Sequence, residues 1–207
     1  IKALLAATTI FSAFAPPAFA QAAAAEAPAQ TEDQRLAAFF EAVFQRNLKN
    51  SPLLQSQLGM KGPDYGKWDD FSDEEAIRQN DETKADLARL RAEFDYENLN
   101  DQSKVSYRIF EYLGERSLRG FPWRFHGYAF STQNNPVTFP ATFLQNIHRV
   151  DDVSDAEAYV ARLNGLGAAM DQVIETMEIA AGKGVVPTSF SFDPVITDAK
   201  NVIKGAP

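Results

Sequence analysis

Cysteine is absent from the 207 residues, and with it go disulfides and thiolate zinc sites. Histidine occurs only as His126 and His148, and neither has a second His or a Glu at metal-ligand spacing. There is no His-Glu-x-x-His and no Gly-x-Ser-x-Gly, so the common metal-dependent and serine-dependent hydrolytic motifs have no carrier here. Positive charge is also short. Lys and Arg number 20 against 28 Asp and Glu, a formal charge of −8. Neutralising phosphates requires clustered Lys and Arg, which excludes nucleic acid as a partner and disfavours docking on an anionic membrane. Gly182-Lys183-Gly184 is no phosphate loop, because no Gly precedes it at Walker spacing and no Ser or Thr follows. It reads as a helix stop.

A hydrophobic share of 45% is present, enough for one sizeable core. Lys2, the apolar run Ala3 to Ala15, and Ala18-Phe19-Ala20 form an export signal, with cleavage expected before Gln21. That run is too short for an ordinary membrane span, so no stable anchor is expected once residues 1–20 are removed. No cysteine follows the cleavage site, which excludes a lipoprotein. The expected location is periplasmic or secreted. Residues 21–30, QAAAAEAPAQ, are a low-complexity spacer with the composition of a flexible segment. The chain begins at Ile1 and ends just after an amphipathic helix, and the expectation is a protein truncated at both ends.

From residue 31 the periodicity is helical throughout. Thr31 with Gln34 makes a capping box, and Leu36, Phe39, Phe40, Val43, Phe44 and Leu48 share one face of a first helix that Pro52 ends. Glycines 59, 62 and 66 with Pro63 mark an irregular connection. Ser72 with Glu75 opens a helix carrying Ile77, Leu87, Leu90 and Phe94. Another begins near Asp101, is expected to bury Val105, Ile109, Tyr112 and Leu113, and ends by Gly120. The longest helix is predicted from Ser154, boxed with Glu157, to Gly182 and Gly184. Its stripe is Tyr159, Leu163, Leu166, Met170, Val173, Met177 and Ala180, at alternating spacings of four and three. A last helix starts at Asp193 with Pro194 in its first turn and has Val195, Ile196, Ala199, Val202 and Ile203 on one side. The Asp69-Asp70 and Asp151-Asp152 pairs each precede a helix start, where negative charge is favoured without any catalytic role.

Residues 121–143 differ in kind. Phe121, Trp123, Phe125, Tyr128, Phe130, Phe139 and Phe143 crowd among prolines and Gln133-Asn134-Asn135 with no period of 3.6 or 2. The reading is a long structured loop with a helical turn between Thr138 and Ile147. Aromatic faces beside amide side chains suit a groove for a peptide or a sugar; the reading favoured over that one is a plug between helix pairs.

Several pieces, in this order, resemble the N-terminal part of the bacterial proteins grouped as domain-of-unknown-function family 885. They are Ser51-Pro52 with Leu58-Gly59, Trp68-Asp69-Asp70-Phe71-Ser72, and the stretch Leu99 to Leu113 with Asp101, Ser106 and Tyr107. After these come Asp155 through Leu163, Met170-Asp171-Gln172, and Gly182 through Pro187. The resemblance covers roughly residues 32–205. It implies an all-α, irregular multi-helix assembly similar to helical zinc metallopeptidases, in which residues 31–207 are an N-terminal, non-catalytic portion. Full-length relatives carry a His-Glu-x-x-Pro-Gly-His type motif far downstream that binds zinc and acts on peptides. None of those positions exists here, so no catalytic residue, metal ligand or cofactor is carried over to this chain. The resemblance implies instead one wall of a substrate channel, with Gln133 and Asn134 at a polar turn facing it and Trp123 and Tyr128 beside them. The alternatives are a free-standing helical module holding a peptide or glycan on the aromatic stretch, and a purely structural bundle.

Overall fold

Thr31 starts the first helix as its spacing with Gln34 predicts: each side chain accepts the other's backbone N–H, at 3.2 and 3.0 Å. In the computed structural model residues 30–133 and 135–204 are described, so the signal and nearly all of the spacer lie outside the described residues. The chain's contacts separate at Gln30, and every described helix belongs to the unit that begins at Thr31. Its described elements are seven α-helices joined by loops and three short 3₁₀ turns, with no strand, an all-α fold. The helices are α1 (Glu32–Lys49), α2 (Pro52–Gln57), α3 (Asp73–Glu93), α4 (Asp101–Gly120), α5 (Phe139–Asn146), α6 (Val153–Gly182) and α7 (Phe192–Val202). Among the described residues no helix is long and apolar enough to cross a membrane.

The main core lies where α1, α3 and α4 meet. Leu36, Phe39 and Val43 pack against Leu90, Phe94, Leu99 and Tyr107. Phe39 meets Phe94 edge-on at 5.5 Å and Phe110 at 5.6 Å. Each such side chain, fully buried, stabilises the fold by about 1.5–3 kcal/mol. Gly114 lets α4 approach α3, since a Cβ there would sit 2.9 Å from Leu87 Cδ2.

That close approach decides which face of α4 is buried, and it is not the expected one. Val105, Ile109, Tyr112 and Leu113 are all exposed. The helix turns Tyr107, half-buried Phe110 and Gly114 inward instead. Both faces are apolar, so periodicity alone cannot choose between them; the glycine's close contact with α3 goes with the less obvious face.

Other differences are local. Pro52 does not simply end α1: it is the first residue of α2, capped by Ser51, which accepts from the Leu54 N–H at 3.1 Å. Ser72 caps α3, but Glu75 turns away from the box to pair with Arg78. Helix α6 begins two residues earlier than Ser154 implies, because Asp152 takes the cap and accepts from the Asp155 N–H at 3.0 Å. Only Gly184, at φ +79°, adopts the left-handed conformation that ends α6; Gly182 is its last helical residue. The stretch at 121–143 contains a 3₁₀ turn, Phe121–His126, as well as α5.

Candidate functional site

Helix α6 contains one basic residue, Arg162, and it is completely buried. Its guanidinium is a junction for four chain segments. Nε donates to the Lys67 carbonyl at 3.0 Å, and Nη2 donates to Ser56 Oγ at 2.8 Å and to the Pro52 carbonyl at 3.4 Å. Nη1 donates to His148 Nδ1 at 2.9 Å. The Tyr65, Trp68 and Phe143 rings surround it at 5.3, 5.7 and 4.8 Å. Trp68 Nε1 returns a bond to the Arg162 carbonyl at 2.8 Å. No carboxylate forms an ion pair with it among the described residues, so aromatic faces and neutral acceptors compensate the buried charge. Burial lowers the guanidinium's pKa from its ordinary value, yet a guanidinium remains charged in proteins.

Because Nδ1 of His148 accepts from a cation, that nitrogen is bare, and the proton sits on Nε2, which donates to the Asp155 carbonyl at 3.1 Å. Burial pushes the His148 pKa down, and Arg162 pushes it the same way against the Asp155 carbonyl. Beside it Lys61 bridges Asp155 and, at 2.7 Å, Asp151. Those carboxylates hold the Lys61 pKa up, and Lys61 holds Asp155 down.

A cleft lies on the other side of α2, between α1, α2, the Asp69–Phe71 segment, α3 and α4, with a volume of about 730 Å³. That is the size of an ordinary small-ligand site. Its two guanidinium groups are already paired. Arg46 grips Asp86 with two bonds, at 2.9 and 2.5 Å, and Arg78 is held by Glu75 and Glu82. Hydrogen bonds from these guanidinium groups to the carboxylates raise the pKa of both arginines. Asp69 is spent on the start of α2, accepting from Ser51 Oγ at 2.6 Å and the Leu53 N–H at 2.9 Å. Asp70 accepts from the Ser72 N–H and from Gln172, and its pKa is lowered chiefly by Ser72. The Asn50 amide, the Asn47 amide nitrogen and the Ser117 hydroxyl also line the cleft, with Val43, Phe110 and Leu113. Arg46 Nε is buried and makes no hydrogen bond, the nearest acid being Glu82 at 3.5 Å.

The expected channel residues are elsewhere. Trp123 is 64% exposed and meets the His126 ring edge-on at 4.9 Å. Tyr128 is 55% exposed, and Gln133 is exposed on a bend. None of these three lines the cleft, and Asn134 lies outside the described residues. A zinc ion finds no fit: no three His, Asp or Glu side chains converge among the described residues. Both nitrogens of His148 are occupied, one by a cation, which is the wrong neighbour for a metal.

Three of the pieces of sequence that carry the resemblance meet at the arginine junction. Ser51-Pro52, Trp68-Asp69 and Asp155 to Leu163 are joined there by hydrogen bonds. A protein-family model described as "Bacterial protein of unknown function (DUF885)" matches residues 52–207. The chain belongs to this family. No curated protein and no solved structure matches it. The DUF885 match begins at Pro52, so α1 lies outside it while still supplying Leu36, Phe39 and Val43 to the core. Within the DUF885 region, sequence reasoning passed over Arg162 and took Asp69 for a charge at the start of α3. The available signal was that Arg162 is the lone cation in a 30-residue helix.

Proposed function

We propose that this DUF885 chain is the non-catalytic, peptide-holding portion of an exported protein resembling a zinc-dependent peptidase. In this reading the cleft among α1, α2, α3 and α4 is its wall of the substrate channel. One observation carries the proposal: both guanidinium groups of the cleft are already paired and its Asp69 and Asp70 carboxylates already accept hydrogen bonds, leaving the neutral amide and hydroxyl groups of Asn47, Asn50 and Ser117 beside Val43, Phe110 and Leu113. An extended peptide presents alternating N–H and C=O groups that such side chains satisfy, whereas an anionic ligand would have to displace the carboxylates already paired with Arg46 and Arg78. Zinc and the His-Glu motif belong, in this reading, to sequence outside these residues, and export rests on residues 1–20 with their Ala18-Phe19-Ala20 site. The exposure of Trp123 and Tyr128 favours a second reading, a module that holds a peptide or glycan on the aromatic stretch.

Incubating the chain with a mixed library of short peptides and identifying those retained by mass spectrometry tests both. Ser117→Trp, which fills the cleft from an exposed position, is expected to abolish retention while Trp123→Ala leaves it intact. The reverse pattern, or no retention by the unaltered chain, overturns the cleft reading.

A further inference from the structure

Helix α6 has a second apolar seam that the rest of the described chain covers only at half-buried Met170 and Met177. Val153, Val160, Gly167, Ile174 and Ala181 recur at seven-residue intervals, and Ala156, Leu163, Met170 and Met177 recur three places after the first four of them. That is the a/d pattern of a coiled coil, sustained for about four heptads. The seam lies beside, and not on, the line that faces the core, which runs through Asp155, Arg162, Ala169 and Ala180. Val153 is 75% exposed, Val160 53%, Leu163 48% and Ile174 50%. Gly167 has no atom within 4 Å of a notional Cβ, so the seam is also open at its middle. Small residues at 156, 167 and 181 would let another helix axis come close.

Charge says which helix. The only cation on α6 is the buried Arg162, whereas Glu157, Asp171, Glu175 and Glu178 are all exposed along one flank of the seam. A second copy laid antiparallel on this seam would set carboxylates against carboxylates, which is unfavourable at the e positions of a coiled coil. We infer that the outer seam of α6 is a docking surface for a partner protein's amphipathic helix of about four heptads, apolar at a and d and lined with Lys or Arg along the facing flank. This inference does not rest on the cleft or on the peptidase reading.

The test uses the whole chain and two designed helical peptides of about four heptads, with identical Leu and Ile at a and d. One carries Lys on its flanks, the other Glu. Fluorescence anisotropy should show the Lys peptide binding at least about tenfold more tightly than the Glu peptide, with the difference shrinking at high salt. The double change Val160→Asp and Ile174→Asp, both at exposed positions, should weaken binding by at least about tenfold with an unchanged melting temperature. Asp171→Lys with Glu178→Lys, which leaves Glu157 and Glu175 and so a flank of no net charge, should abolish the preference. Equal affinity for the two peptides overturns the inference, as does binding that ignores the seam changes. Sedimentation showing a dimer that the Val160→Asp and Ile174→Asp chain cannot form overturns it too, in favour of a second copy.

Discussion

Arg162 is the residue on which the C-terminal half of the fold turns. Its five donors in a planar fork hold the end of α5, the start of α2, and the Tyr65–Trp68 loop to α6 at once. Arg162→Met keeps the volume but leaves Ser56, the Lys67 carbonyl and His148 without a donor. It should destabilise by about 3–5 kcal/mol in urea unfolding, and Arg162→Lys should rescue only part of that because one ammonium cannot reach three directions. A variant within 1 kcal/mol of the unaltered chain, roughly the scale of an ordinary surface change, would show that the junction is dispensable. His148 adds a pH dependence. Its folded pKa lies below the ordinary 6.5, so the unfolded chain binds the proton first and stability falls as pH drops below about 6.5. The contribution is fully present above that value and disappears toward the lowered folded pKa, with a slope of at most about 1.4 kcal/mol per pH unit. His148→Gln, which keeps an acceptor for Arg162 without titrating, should flatten the stability curve between about pH 6.5 and 5, above the ordinary carboxylate range. An unchanged slope in that variant would assign the effect elsewhere.

At the scale of helices, two glycines should respond in opposite directions. Gly114→Ala gains helix propensity of about 1 kcal/mol but drives a methyl to 2.9 Å from Leu87 at the α3–α4 contact. Overpacking of about 1–3 kcal/mol should win, lowering the melting temperature. Gly167→Ala meets nothing within 4 Å and should raise it. Thermal unfolding of both variants decides, and shifts of the same sign would refute the packing assigned to α4. The same contrast explains what the sequence could reveal. Helix positions were legible, because caps such as Thr31 and Ser72 and stops such as Gly184 act over a single turn. The buried face was not. Helices α4 and α6 are apolar on more than one side, and only the neighbour selects the side, as Gly114 and Arg162 show. The predicted stripe of α6 straddles its inner line and its outer seam: Tyr159 and Val173 are half-buried, whereas Leu163 is exposed.

At the scale of the whole molecule, several of the pieces that carry the family resemblance serve architecture. Ser51, Pro52, Trp68, Asp69 and Arg162 are tied to one another, and Ser51 and Asp69 also line the cleft. The cleft could not be read in advance, since its lining comes from four separated stretches that only the α1–α4 packing assembles. Trp123 and Tyr128, chosen for their aromatic faces, stay on the surface away from it. The division of labour we propose has this chain hold a peptide while the cutting is done elsewhere. Zinc content by elemental analysis, together with chelator-sensitive cleavage of a peptide library, tests it on the 207-residue chain and on the protein continued into the expected His-Glu motif. The account predicts no stoichiometric zinc and no cleavage for the shorter chain, and both for the longer protein. Chelator-sensitive cleavage by the 207 residues alone, or a longer protein without zinc or activity, would contradict it.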